Sequence, residues 1–205
     1  MLKQEGKNDS ENADKFLNLN EKEKLIEKLN KFSCIITIKD NMHYSGIFFK
    51  LPFPDKFFFL NVLIINSSYI NLLDIKNNNN TILLTINGCE KKYIEIDDSR
   101  IIYTSKEFNL TLIEINGSKD NIKNFLEVDN KLNEEIKDIK NLNNLNKKYA
   151  NEEIYILNYS EDNNIDISFG FFREIQNNHL YYYSDGKESF FCSTIFILNK
   201  NFKVR

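Results

Sequence analysis

The sequence predicts an all-β fold led in by one short helix. Three observations carry this. Short segments in which apolar and polar side chains alternate, such as Lys92-Tyr93-Ile94-Glu95-Ile96, recur along most of the chain. Turn signals separate them at short, regular intervals: Lys39-Asp40-Asn41, Asn87-Gly88, Asn116-Gly117, Asp162-Asn163, Asn177-Asn178 and Asp185-Gly186. Helical periodicity is confined to a stretch near the N-terminus and another in the middle. Many short strands at this spacing argue for a barrel or a sandwich. A length of 205 residues suits one domain or two closely packed halves and is enough to bury a core.

Taken in order, residues 1–19 are poor in apolar side chains and are expected to form a disordered tail. In Asn20-Glu21-Lys22-Glu23 an Asn cap with Glu three residues on resembles a capping box. Leu25, Ile26, Leu29 and Phe32 then give a helix with one apolar face. Strands follow at 32–39, 44–50, 57–65, 81–86, 91–96, 100–104 and 110–115, with Phe57–Leu60 reading as fully buried. Residues 120–148 interrupt the pattern with two helical patterns, 120–126 and 131–142, and a polar linker. A second set of strands is expected at 153–159, 165–175, 179–183 and 190–198. The domain boundaries expected are therefore a tail over 1–19, the helix and a first β-unit over 20–118, a helical or polar connection over 119–150, and a second β-unit over 151–205.

Composition excludes several functions. The net charge is −3, whereas a nucleic-acid binder would carry a basic stripe, so no nucleic-acid partner is expected. No apolar run is long enough to span a bilayer, so no membrane partner is expected either. Met1 to Asp14 are polar and do not form a signal peptide. Three widely spaced cysteines (Cys34, Cys89, Cys192) predict a reduced, cytoplasmic chain with no disulfide framework and no metal site. No phosphate-binding glycine loop occurs, and no cofactor is expected. The carboxylate pairs Asp97-Asp98, Glu134-Glu135, Glu152-Glu153 and Glu161-Asp162 lack calcium-loop spacing and read as solvated loops. The aromatic runs Phe57-Phe58-Phe59 and Tyr181-Tyr182-Tyr183 have no basic groove beside them and read as strands rather than base-stacking platforms. About one residue in six is Asn, and Lys outnumbers Arg 24 to 3. All this reads as AT-rich coding bias, with only Asn77–Asn80 forming a pure run.

Four segments carry a family resemblance. Tyr44-Ser45-Gly46-Ile47-Phe48-Phe49 is similar to a Gly-x-Gly-Phe-Phe segment. Asn61-Val62-Leu63-Ile64-Ile65-Asn66-Ser67-Ser68-Tyr69-Ile70 is similar to Val-Leu-Ile-Thr-Asn-Asn-His-Val-Ile. Glu107-Phe108-Asn109-Leu110-Thr111-Leu112-Ile113-Glu114-Ile115 is similar to Tyr-Asp-x-Thr-Ile-Ile-Glu-Ile. Ser168-Phe169-Gly170 and then Ser189-Phe190-Phe191-Cys192-Ser193-Thr194-Ile195 stand where a Ser-x-Gly strand and Gly-x-Ser-Gly-x-Pro-Ile would lie. In this order the segments resemble the trypsin-like (chymotrypsin-fold) serine peptidases, closest to Asn- and Lys-rich intracellular eukaryotic members. The resemblance implies a double β-barrel and covers residues 21–204.

It also implies a site, and here the sequence departs from the family. Triad hydrolysis needs a hydroxyl nucleophile, an imidazole base and a carboxylate that orients the imidazole. The histidine position holds Ser68, the aspartate position Asn109 and the nucleophile position Phe191. Ser189 and Cys192 replace the glycines that shape an oxyanion hole. Losing one triad member costs on the order of 10⁴–10⁶ in rate. The resemblance therefore implies a catalytically inactive, serine-peptidase-like protein (a pseudopeptidase) that binds a peptide or a protein partner. One alternative is an active trypsin-like or cysteine-type peptidase, with Cys192 or Ser193 as nucleophile. The histidines it would need, His43 and His179, both read as solvated turn residues. A second alternative is a truncated fragment, because Phe202-Lys203-Val204 only begins a hairpin and the second barrel is expected to be incomplete.

Overall fold

The computed structural model describes residues 19–38, 42–55, 57–67, 75, 80–127, 142–159, 165–176, 179–184 and 194–197. The first element is helix α1 (Leu19–Asn30). It starts at Leu19, so Asn20 lies inside the helix and is not its cap. Strands β1 (Ser33–Ile38), β2 (Met42–Pro52) and β3 (Phe59–Asn66) follow as an antiparallel meander. Then come β4 (Thr81–Ile86), β5 (Glu90–Glu95), β6 (Ile102–Ser105) and β7 (Leu110–Glu114). The larger sheet runs β5-β4-β1-β2-β3-β7-β6, and the short β8 (Leu126–Glu127) adds to β2 in parallel.

Strand sequence decides burial. In β4 only Ile82, Leu84 and Ile86 turn inward, the alternation of a strand with one buried face. β1 lies between β2 and β4 and is buried on nearly every residue. In β2, successive residues serve two cores: Phe48 packs with Ile36, Leu63, Leu84 and Ile113, while Ile47 faces Leu25 and Leu29 of α1.

The two edge strands of this sheet, β5 and β6, are consecutive in sequence and joined by a corner at 96–101. The path of paired strands is open there, and an ion pair holds the corner. Arg100 donates from Nη1 to Asp120 Oδ2 (2.7 Å) and to the Glu114 carbonyl (2.6 Å), and from Nη2 to Asp120 Oδ1 (3.1 Å). Asp120 also accepts the Asn116 N–H at 2.8 Å. Nearby, Lys119 Nζ lies 2.8 Å from Asp97, and this partner, with the Ser99 hydroxyl, holds the Asp97 carboxyl well below its usual range.

Helix α2 (Leu142–Tyr149) leads into β9 (Glu153–Tyr159), β10 (Ile165–Gln176), β11 (His179–Ser184) and β12 (Thr194–Ile197). These form a four-stranded antiparallel sheet, β11-β10-β9-β12. The order repeats that of β3-β2-β1-β4: third, second, first, fourth. In the larger sheet β7 continues beside β3 and β5 beside β4. Among the described residues β11 and β12 are the two edges of the smaller sheet. Leu145 and Tyr149 of α2 pack on Ile154, Ile156 and Phe172. Asn146 clamps the helix to β10, accepting the Ile175 N–H at 2.8 Å and donating to its carbonyl at 3.3 Å. At Gly170 a Cβ would run into the Tyr183 carbonyl, so β10 and β11 approach more closely than any side chain permits.

The turns share one feature. Among the described residues five other than glycine hold a positive φ, and all five are asparagine: Asn80, Asn87, Asn109, Asn121 and Asn151. Asn tolerates this left-handed conformation better than other side chains. Asn87 and Gly88 both adopt it between β4 and β5, as a tight hairpin of the mirror-image turn type requires.

The chain is therefore all-β, as the alternation predicts, but several local readings are corrected. Phe57–Leu60 is not buried: Phe57 and Phe58 form the tip of the β2–β3 hairpin, beyond any neighbouring strand, and Phe59 is half exposed. Residues 120–126 are not helical: Asp120 is drawn into the Arg100 pair, 122–125 are irregular, and Leu126 enters β8 beside β2. The stretch read as a polar linker holds α2, where Leu145 and Tyr149 recur four residues apart on the buried face. The pattern at 131–142 falls, except for Leu142, outside the described residues. Tyr181, Tyr182 and Tyr183 do form a strand, and all three are exposed.

Candidate functional site

β3 delivers the chain to Asn66 and then to the turn residue Ser67. β7 is antiparallel to β3 with Asn66 opposite Leu110. One step further along this register places residue 67 across from residue 109, and there the Ser67 N–H donates to the Asn109 carbonyl at 2.9 Å. The end of β3 and the β6–β7 turn at 106–109 thus meet through the backbone.

Asn109 is exposed and holds φ at 50°, the last residue of that turn before β7. The turn is tied down from both sides. The Phe108 N–H donates to Ser105 Oγ at 3.2 Å, and the Thr104 and Thr111 hydroxyls lie 3.0 Å apart across the hairpin. Asn109 carries an uncharged amide, so nothing at this position could stabilise an imidazolium.

Of the other residues singled out in the sequence, Ser68, Phe191, Cys192 and Ser193 lie outside the described residues. His43 is not in a turn. It belongs to β2, opposite Thr37 of β1, and the β2–β3 register (Gly46 opposite Ile65) carries it toward the same end of the sheet as residue 67. His179 likewise opens β11, opposite Gln176, rather than sitting in the hairpin turn.

Asp120 is a buried carboxylate of another kind, already neutralised by a two-pronged pair with Arg100. Such a pair orients a corner, and three of the roughly four lone-pair directions of the carboxylate are already taken. Cys34 is buried, which pushes its thiol up and away from the reactive thiolate form, while Cys89 is exposed. Among the described residues no three His, Cys, Asp or Glu side chains converge on a metal position. Nor is any described helix long and apolar enough to cross a membrane.

The backbone contact between residues 67 and 109 has no signature in sequence composition. It was accessible only through the chain order of the segments around Ser68 and Asn109.

No protein-family model matches the chain, and no curated sequence does. Among solved structures, the fold is similar to the crystal structure of Deg5, a HtrA/trypsin-like serine protease. The TM-score is 0.53 at 10% sequence identity, and the likeness covers 88% of this chain and 82% of that one. At this identity the likeness establishes the fold: mostly β, in antiparallel sheets, of the trypsin-like kind.

Proposed function

We propose that this chain is a trypsin-like scaffold without triad catalysis, which binds a peptide or protein partner. The observation that supports this reading is the junction of Ser67 and Asn109. It joins the two segments that in this fold would present an imidazole and a carboxylate, and this sequence supplies Ser68 and Asn109 there. Neither can hold or move a proton near neutral pH, so a serine hydroxyl nearby would stay a poor nucleophile. Such a scaffold can pair with an extended peptide, through a cleft or through a strand added at an open sheet edge.

The experiment has two arms. A fluorophosphonate probe should leave the purified chain unlabelled. Labelling that vanishes on replacing a single Ser would overturn the reading. In the second arm, a casein-derived peptide pool should protect amides at 66–67 and 106–110, or along β11 or β12, from hydrogen exchange. No protection at any of these places would remove the binding half of the proposal.

A further inference from the structure

Among the described residues the largest run of exposed aromatic rings lies at the opposite end of β3 from the candidate site. Between Pro52 and Phe59 the chain makes a tight hairpin tip, in which Phe53, Phe57, Phe58 and Phe59 are 53, 76, 62 and 50% exposed. The tip is well braced. The Phe53 N–H donates to the Phe58 carbonyl at 2.9 Å, and the Phe57 N–H donates to Asp55 Oδ1 at 2.8 Å. At its base, the Lys50 ammonium lies 4.6 Å from the Phe59 ring centroid and 3.2 Å from Glu127. The length of β3, about 25 Å, separates this patch from residue 67. A partner held at the candidate site would not cover it.

Area and shape decide what the patch fits. A Phe side chain carries about 150–250 Å², so four rings exposed to this degree present roughly 400–500 Å². That is as large as the biggest patch on an ordinary monomer. It is also about half of the roughly 800 Å² per partner that a stable protein–protein contact buries. The tip is a narrow projection at the end of a hairpin, with Lys50 at its base and Asp55 and Glu127 as the carboxylates beside it. A lipid interface takes up such a projection without a complementary shape, and the long Lys50 side chain at its base can extend toward the headgroups. It also requires no membrane-spanning segment.

We propose that the β2–β3 tip inserts its phenylalanines into the interface of a phospholipid bilayer and holds the chain there reversibly. The test is sedimentation of the full chain with unilamellar vesicles of mixed phosphatidylcholine and phosphatidylserine. The wild-type chain should pellet with the vesicles. A Phe57→Ser/Phe58→Ser variant should bind less tightly by about tenfold or more. Both rings are exposed, so this variant keeps the fold, and an unchanged thermal melt verifies that. Phe108→Ser, which removes an exposed ring at the far end of the sheet, should leave vesicle binding unchanged. The proposal is overturned if the wild type stays in the supernatant or if the double variant binds equally well. It is also overturned if the tip instead drives lipid-free self-association of the wild type that the double variant abolishes.

Discussion

Arg100 and Asp120 hold the corner between β5 and β6, and their side chains are only 4 and 3% exposed. Two charges so deep are tolerable because each meets the other in a two-pronged geometry, with the Glu114 carbonyl and the Asn116 N–H taking up further valences. The satisfaction is incomplete, since Arg100 Nε is buried without a partner. Removing one charge is therefore far worse than removing both. Asp120→Asn should destabilise the chain by about 3–5 kcal/mol in urea unfolding. The double variant Arg100→Met/Asp120→Leu should lose distinctly less. Equal losses in the two variants would mean that the charges do not act as a pair.

At the scale of elements, the β10–β11 ladder depends on Gly170. A methyl group there meets backbone, which cannot swing aside as a side chain can. Gly170→Ala should cost about 1–3 kcal/mol and accelerate amide exchange along Tyr181–Ser184 before it affects β1–β4. A variant as protected as the wild type in β11 would show that the strands can separate slightly at no cost.

The same scale shows what the sequence made legible. β4 and β5 were readable because one face of each is wet, so apolar and polar residues alternate. The class and the order of strands followed from this. α2 was hidden because Asn and Lys fill its outer face and only Leu145 and Tyr149 mark the inner one. The Phe57–Phe59 run misled for the opposite reason: apolarity predicts burial only where another element arrives to cover it. Asn109 was singled out by chain order alone, and its meeting with Ser67 is a backbone contact between segments 42 residues apart in numbering, which no local pattern encodes.

Across the whole molecule, α1 links the two sheets. Leu25 and Leu29 belong to one cluster with Ile47 of β2 and Leu126 of β8 on one side and Tyr155 of β9 on the other, with Phe169 of β10 packed against it. The Tyr155 hydroxyl donates to Glu153 at 2.7 Å, and burial raises its pKa, so the ring stays neutral in this contact. Leu29→Ala should destabilise the chain by about 2–5 kcal/mol and lower amide protection in β1–β2 and β9–β10 together. Loss confined to β1–β2 would assign α1 to the larger sheet alone.

The five left-handed asparagines extend beyond the turns that they close. Glycine would fit each of those φ values, yet glycine leaves an unfolded chain free to wander through many more shapes. Every turn closed by Asn shortens that list before folding begins. A coding bias that first looks like noise thus narrows the denatured ensemble and makes the hairpins less costly in entropy to form.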